Sequence, residues 1–125
     1  MHTNVLAAMR LLPIVAPLVA NARGKLGVLS SRMGSIGARN SAIGSLYRAS
    51  KAALNSVLRD TALTFGAQGA TCIAFHPGWV QTDMGGAGAD ISVEDSVRDL
   101  RATLAHAAPD ANGTFLNHDG DPIPW

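Results

Sequence analysis

The chain has 125 residues, enough for one domain and not two. Hydrophobic residues make up 47% and charged residues 15%, so a buried core is expected and disorder is excluded. A net charge of +1 with no basic run argues against a nucleic-acid surface, and the single cysteine, Cys72, excludes an internal disulfide and fits a reducing compartment.

The first predicted element is a helix over about Thr3 to Ala22. Its core, Val5 to Ala20, is the most apolar stretch of the chain and contains Arg10, Pro13 and Pro17. The stretch is shorter than a bilayer span, and no basic segment precedes it, so it reads as neither a membrane helix nor a signal peptide. It is expected to be a buried core or interface helix of a cytoplasmic protein. The two prolines lie four apart on one face and predict a bend. Lys25 to Ser31 follows as a short apolar strand opened by Gly24. A second helix is expected over about Ser45 to Ala67, stopping at Gly66 and Gly69. Ala70 to His76 reads as a second strand, opened by Gly69. Both strands look covered on two faces, as parallel strands are. Met84 and the run Gly85 to Gly88 read as a mobile loop.

A third helix opens at Ser92, where Ser92-Val93-Glu94-Asp95 resembles a capping box with Asp in the Glu position. Ile91, Val93, Val97, Leu100 and Leu104 give it one apolar stripe. Arg98-Asp99-Leu100-Arg101 reads as a solvated face. Gly113 to Asn117 is a weaker third strand. Helix and strand therefore alternate, which predicts an α/β layer structure with three parallel strands and right-handed crossovers. The chain opens on a helix with no strand before it, and the first strand would have a bare edge. Residues 1–40 contain no Gly-x-Gly-x-x-Gly turn of the kind that opens a doubly wound nucleotide fold. Residues 1–125 are therefore expected to be one partial domain, lacking roughly a hundred residues ahead of Met1.

Tyr47-Arg48-Ala49-Ser50-Lys51 is the chemical centre. Tyr47 and Lys51 lie four apart and share a helix face. A phenol titrates near ~10, too high for a good base at neutral pH. A neighbouring ammonium favours the phenolate; at ~4 Å and an effective dielectric of ~20 the attraction is roughly 4 kcal/mol before desolvation. The phenol then becomes a proton donor to a carbonyl oxygen, or an acceptor from an alcohol. Tyr-x-x-x-Lys alone is a weak signal. Here it sits on an Ala-rich helix (Ala49, Ala52, Ala53), after a strand ending in Ser30-Ser31-Arg32-Met33-Gly34 and before one ending in His76-Pro77-Gly78-Trp79-Val80-Gln81-Thr82. The four histidines have no metal-site spacing, and no metal is expected. His76 stands nearest the candidate site, and Trp79 either faces a substrate or packs. Cys72 reads as a small core residue.

Asn4-Val5-Leu6, Ser30-Ser31-x-x-Gly34, Tyr47-x-x-x-Lys51 and Pro77-Gly78-x-Val80-x-Thr82 occur in the order found in the second half of the short-chain dehydrogenase/reductase family, which this chain resembles over residues 1–123. Ser30 to Ile36 and the ending Asp119-Gly120 through Ile123-Pro124-Trp125 are similar to the C-factor-like carbonyl reductases. The resemblance implies the C-terminal half of a Rossmann-like doubly wound parallel sheet, without the N-terminal cofactor-binding half. It implies an NAD(P)-dependent oxidoreductase interconverting a small carbonyl and an alcohol, with NADP favoured over NAD. Tyr47 would be the general acid/base, and Lys51 would favour its phenolate and hold ribose hydroxyls. Ser31 would bond the substrate oxygen, and Asn4 would hold a water in a proton relay behind Lys51. Pro77, Gly78, Val80 and Thr82 would receive the nicotinamide. Helices 3–22 and 45–67 would form the interface of a homo-oligomer, with no nucleic-acid or membrane partner. A truncated, non-catalytic scaffold or partner subunit is the alternative. Ser31 lies 16 residues before Tyr47, farther than the family usually places it. The extra residues fall in Ser35 to Ser41, a polar loop expected to bulge outward. Ser35, twelve before Tyr47, is the rival for the catalytic serine.

Overall fold

The computed structural model describes residues 2–81 and 88–125. Thr82 and the loop residues Met84 to Ala87 lie outside them. In chain order the elements are a π-helical turn (His2–Leu6), α1 (Ala7–Asn21), β1 (Lys25–Leu29), a 3-10 turn (Arg32–Gly34), α2 (Ser45–Phe65), a 3-10 turn (Gly66–Gln68), β2 (Thr71–His76), α3 (Val93–His106), a 3-10 turn (Pro109–Ala111) and β3 (Thr114–Asn117).

The three strands form a parallel sheet in the order β1-β2-β3. Its register runs from Lys25 opposite Thr71 to Leu29 opposite Phe75, then from Ile73 opposite Thr114 to His76 opposite Asn117. The expected parallel α/β layering is what forms. β2 is central, and its apolar run Cys72-Ile73-Ala74-Phe75 is buried throughout. β1 is an edge strand among the described residues: it pairs with β2 alone, and its exposure alternates along its length.

Side chains alternate across a strand. Leu26, Cys72, Ala74 and Phe115 face one way and join Leu12 and Ala20 of α1 and Leu58 and Ala62 of α2 in the main core. The opposite face carries Phe75 and is approached by Leu104 of α3, 3.7 Å from where a Gly27 Cβ would lie. Helices therefore cover both faces of the sheet.

The first helix is not buried as a whole. Its fourfold-spaced stripe Leu12, Ala16 and Ala20 is covered, while Met9, Leu11, Ile14 and Leu18 stand exposed. With a mean hydropathy of 1.6, Thr3–Asn21 meets the length and composition of a membrane span, a test that apolar helices of soluble domains also pass. The third helix starts as its sequence predicts, with Ser92 Oγ accepting from the Asp95 amide at 3.1 Å. The reciprocal half of the box is replaced by an ion pair, Asp95 to Arg98 at 2.9 Å. Its expected stripe is only partly covered: Val93 and Val97 are exposed, and Ser96 is the buried residue, its hydroxyl donating to Pro77 O at 2.6 Å. Asp99 also departs from a purely solvated face, pairing with His118 Nδ1 at 2.7 Å.

The C-terminal tail folds back along β3. Ile123 N donates to Phe115 O, and the Trp125 ring stacks on Phe115 with centroids 5.5 Å apart.

Candidate active site

The first turns of α2 carry Tyr47 and Lys51 on one face. Tyr47 is 40% exposed. The Lys51 ammonium lies 5.8 Å from the centre of the Tyr47 ring and donates to Leu29 O of β1 at 3.4 Å. Partial burial lowers the Lys51 pKa from its ordinary value, because a half-dry ammonium loses hydration.

Ser31 sits just beyond the end of β1 in extended conformation, capping the turn Arg32–Gly34. It is buried, and its Oγ accepts from Met33 N at 3.1 Å. A hydroxyl that accepts an amide keeps its own proton to donate. The turn it caps is seated on α2: a β-carbon at Gly34 would lie 2.8 Å from Lys51 Cβ and 2.9 Å from the Lys51 carbonyl carbon. Only a residue without a side chain allows this approach. Glycine thus brings the serine-bearing turn onto the helix turn that carries Lys51.

Ser35 is fully buried and its hydroxyl is committed twice, donating to Pro124 O and accepting from Ala38 N at 3.0 Å. The same loop is held by the tail, with Ile36 N donating to Trp125 O at 2.6 Å. The extra residues before Tyr47 thus form a turn anchored beneath the C-terminal tail, with Ile36, Gly37, Ala38, Arg39 and Asn40 facing outward.

Asn4, in the π-helical turn, donates from Nδ2 to Ser50 Oγ at 3.1 Å, and Ser50 Oγ donates to Tyr47 O at 2.8 Å. Asn4 is therefore joined to α2 through the residue preceding Lys51.

Pro77, Gly78 and Val80 follow the end of β2. Val80 bridges Ile91, with Gln81 N donating to Ile91 O and Ile91 N to Trp79 O. Gly78 has φ +88, and a β-carbon there would meet Ile91 at 2.9 Å and His118 at 3.1 Å, so the turn needs glycine twice over. Trp79 leaves its indole exposed rather than packed. Thr82 lies outside the described residues.

Three further side chains bear on the site. Ser30 Oγ donates to Asn55 Oδ1 at 2.5 Å, both buried, and Asn55 Nδ2 has no partner among the described residues. His76 Nδ1 accepts from Arg32 N at 3.0 Å, and burial, then the charges of Arg32 and His118, bring its pKa down to about 4. Sequence reasoning singled out none of these links. The available signal was the spacing Tyr47, Lys51, Asn55, which repeats every four residues on one helix face.

A family model described as enoyl-(acyl carrier protein) reductase matches residues 1–112. The chain is 36% identical to the C-signal protein of Myxococcus xanthus, over 98% of this chain and 74% of that one. Among solved structures, the carbonyl reductase Sniffer of D. melanogaster matches with a TM-score of 0.93 and 31% identity, covering 99% of this chain and 55% of that one. The NADPH-bound carbonyl reductase from chicken fatty liver matches with a TM-score of 0.88 and 32% identity, covering 98% of this chain and 54% of that one. The chain spans about three quarters of the length of the C-signal protein and about half that of either reductase. The parallel sheet, the seated serine turn and these matches lead to one assignment: the chain belongs to the short-chain dehydrogenase/reductase family.

Proposed function

We propose that this chain carries the acid–base half of an NAD(P)-dependent oxidoreductase interconverting a carbonyl and an alcohol. The observation that supports the reading is the seat of Gly34 on Lys51, which brings the turn that Ser31 caps onto the helix bearing Tyr47 and Lys51. A reduced nicotinamide, when bound, would supply the hydride that a carbonyl carbon accepts. Tyr47 gives its phenolic proton to the carbonyl oxygen, and the Lys51 ammonium stabilises the phenolate left behind. Ser31 donates to the same oxygen and orients it. Asn4, bonded to Ser50 of the same helix turn, would hold a water that returns a proton to Tyr47 and Lys51.

The residues present fit such a cofactor in part. The Lys51 ammonium has three donors and one long hydrogen bond among the described residues, so it has capacity for ribose hydroxyls. Pro77, Gly78 and Val80, with Thr82, would form the nicotinamide wall. NADP is favoured over NAD; a related carbonyl reductase is known with NADPH bound. No glycine turn of the pyrophosphate-binding type occurs in the sequence, so the 125-residue chain should hold the dinucleotide weakly.

Titrating the purified chain into NADPH and following nucleotide fluorescence tests this directly: affinity weaker than micromolar is expected, and micromolar binding overturns it. Replacing Tyr47 with Phe should abolish any carbonyl reduction and leave the melting curve in place. Carbonyl reduction that persists in that variant removes Tyr47 from the mechanism.

A second reading is favoured by one observation. Met9, Ile14 and Leu18 of α1 and Leu63 of α2 are exposed. A homo-oligomer through helices 3–22 and 45–67 would cover such side chains, in an enzyme or in a non-catalytic scaffold. Light scattering should show a dimer or larger, and Ile14→Lys with Leu18→Lys should shift it to monomer. A monomeric parent chain excludes this interface.

A further inference from the structure

Ser31 has its two chain neighbours held from opposite sides. On one side Ser30 ends the β1 ladder, its amide donating to Phe75 O at 2.7 Å and its hydroxyl to Asn55 of α2 at 2.5 Å. On the other side the Arg32 amide donates to the ring of His76, the last residue of β2, at 3.0 Å. Each of these holders belongs to a different element from Ser31. They leave the serine little freedom to drift relative to either the Tyr47–Lys51 helix or the Pro77–Gly78 turn. A substrate-binding hydroxyl needs such support, because displacement of about 1 Å at a reacting centre can cost about a hundredfold in rate.

We propose that His76 is a positioning residue for Ser31: as a neutral imidazole with its proton on Nε2, it accepts the Arg32 amide and ties the tip of β1 to the tip of β2. The proposal rests on the reading that Ser31 meets the substrate oxygen. The ring is suited to the task. An imidazolium donates from both nitrogens and cannot accept an amide, so the tie exists only in the neutral form. Burial keeps the ring neutral first, and the charges of Arg32 and His118, its chargeable neighbours among the described residues, add to it; His118 is itself bonded to Asp99. With its pKa near 4, His76 stays an acceptor across the physiological range. The residue after His76 is Pro77, whose carbonyl is fixed by Ser96 of α3. The tie therefore joins the serine turn to a strand tip that is already anchored.

The test uses NMR of the 125-residue chain, so it does not depend on turnover. Long-range ¹H–¹⁵N spectra at neutral pH should show His76 protonated on Nε2 with a bare Nδ1. In His76→Leu, which keeps bulk but loses the acceptor, the Arg32 amide should exchange about tenfold faster, the ratio expected for loss of one hydrogen bond. Amides in the middle of β2, such as Ile73, should exchange as before, which separates a local tie from general loosening. In His76→Asn the amide oxygen occupies the place of Nδ1, and Arg32 protection should return to within about threefold of the parent. The Ser31 and Arg32 resonances should also move with the imidazole titration in the parent and not in His76→Asn.

An Nδ1-protonated ring, or Arg32 exchange unchanged in His76→Leu, overturns the proposal. So does equal loss of protection in the Leu and Asn variants. If the NMR coupling holds while Tyr47→Phe still reduces carbonyls, the tie is real and the catalytic reading fails. If Tyr47 proves essential while the coupling is absent, the reverse follows.

Discussion

Replacing Gly34 with Ala tests the seat of the serine turn. The added β-carbon would lie 2.8 Å from Lys51 Cβ, 2.9 Å from the Lys51 carbonyl carbon and 3.1 Å from Ala52 N. Non-bonded carbons settle near ~3.5–4.0 Å, so turn and helix must part by about 0.7 Å. Two of the three obstructing atoms are backbone and cannot rotate aside. Overpacking of this kind costs about 1–3 kcal/mol. Gly34 is not at positive φ, so alanine would restrict the unfolded chain and return about 0.4–1 kcal/mol. Taking the two midpoints, the net loss is roughly 1.3 kcal/mol. For a domain of this size that corresponds to a Tm lower by roughly 4–8 °C. Thermal unfolding followed by far-UV circular dichroism measures it. Gly88→Ala is the control: among the described residues a β-carbon there has nothing within 4 Å, so it carries only the unfolded-chain gain and should leave Tm equal or slightly higher. A Gly34→Ala protein that gains as much stability as the control would mean that the turn does not sit on Lys51, and the proposed grouping of Ser31 with Tyr47 and Lys51 would lose its support.

Two other outcomes follow from the site. The His76 pKa is lowered to about 4 from 6.5, so the unfolded chain takes up a proton near pH 6.5 that the folded chain refuses until about pH 4. Stability is therefore full above pH 6.5 and falls as pH drops through that window. The ring is partly exposed, and after solvent screening the effect is roughly 1 kcal/mol. Thermal melts at pH 7 and pH 4.5 should show a Tm loss a few degrees larger in the parent than in His76→Asn; equal losses contradict the shift. For the two serines, Ser35→Ala removes a buried donor and acceptor and should lower stability by about 1–3 kcal/mol in urea unfolding. Ser31→Ala should cost less stability and more turnover. The opposite pattern, a stable Ser35→Ala protein without turnover, would transfer the catalytic role to Ser35.

What the sequence disclosed is local. Tyr47 and Lys51 share a face because the helix period puts them there. Thr71 to His76 is an apolar run too short for a helix, and it became the central strand. Ser92 announced the start of α3 through its cap. What the sequence withheld is the choice of distant partners. Ser35 reaches Pro124, 89 residues on, and Arg32 reaches His76, 44 residues on. Asn112 fixes both Cys72 N and Ala62 O. No periodicity encodes such pairings, because they depend on how elements pack after each has formed. Val93 and Val97 were misread for a related reason: an apolar stripe is buried only where a neighbour covers it, and α3 is covered along part of its length.

The same distinction separates the acid–base group from the cofactor. Every bond that positions Ser31, Tyr47, Lys51 and Asn4 ends on an atom within this chain: Leu29 O, Met33 N, Ser50 Oγ, and the Asn55 and His76 side chains. The free side of β1 is different. Four consecutive strand residues, Leu26 to Leu29, line an open groove of about 390 Å³ together with Asn4 and Leu11 of the first helical segment. Consecutive residues point to both faces of a sheet, so a hollow they all line lies along the strand's edge. Among the described residues that edge has no strand partner, and it ends at Leu29, whose carbonyl accepts from Lys51. Loss of nucleotide affinity in the 125-residue chain would leave the geometry of Ser31, Tyr47 and Lys51 unchanged.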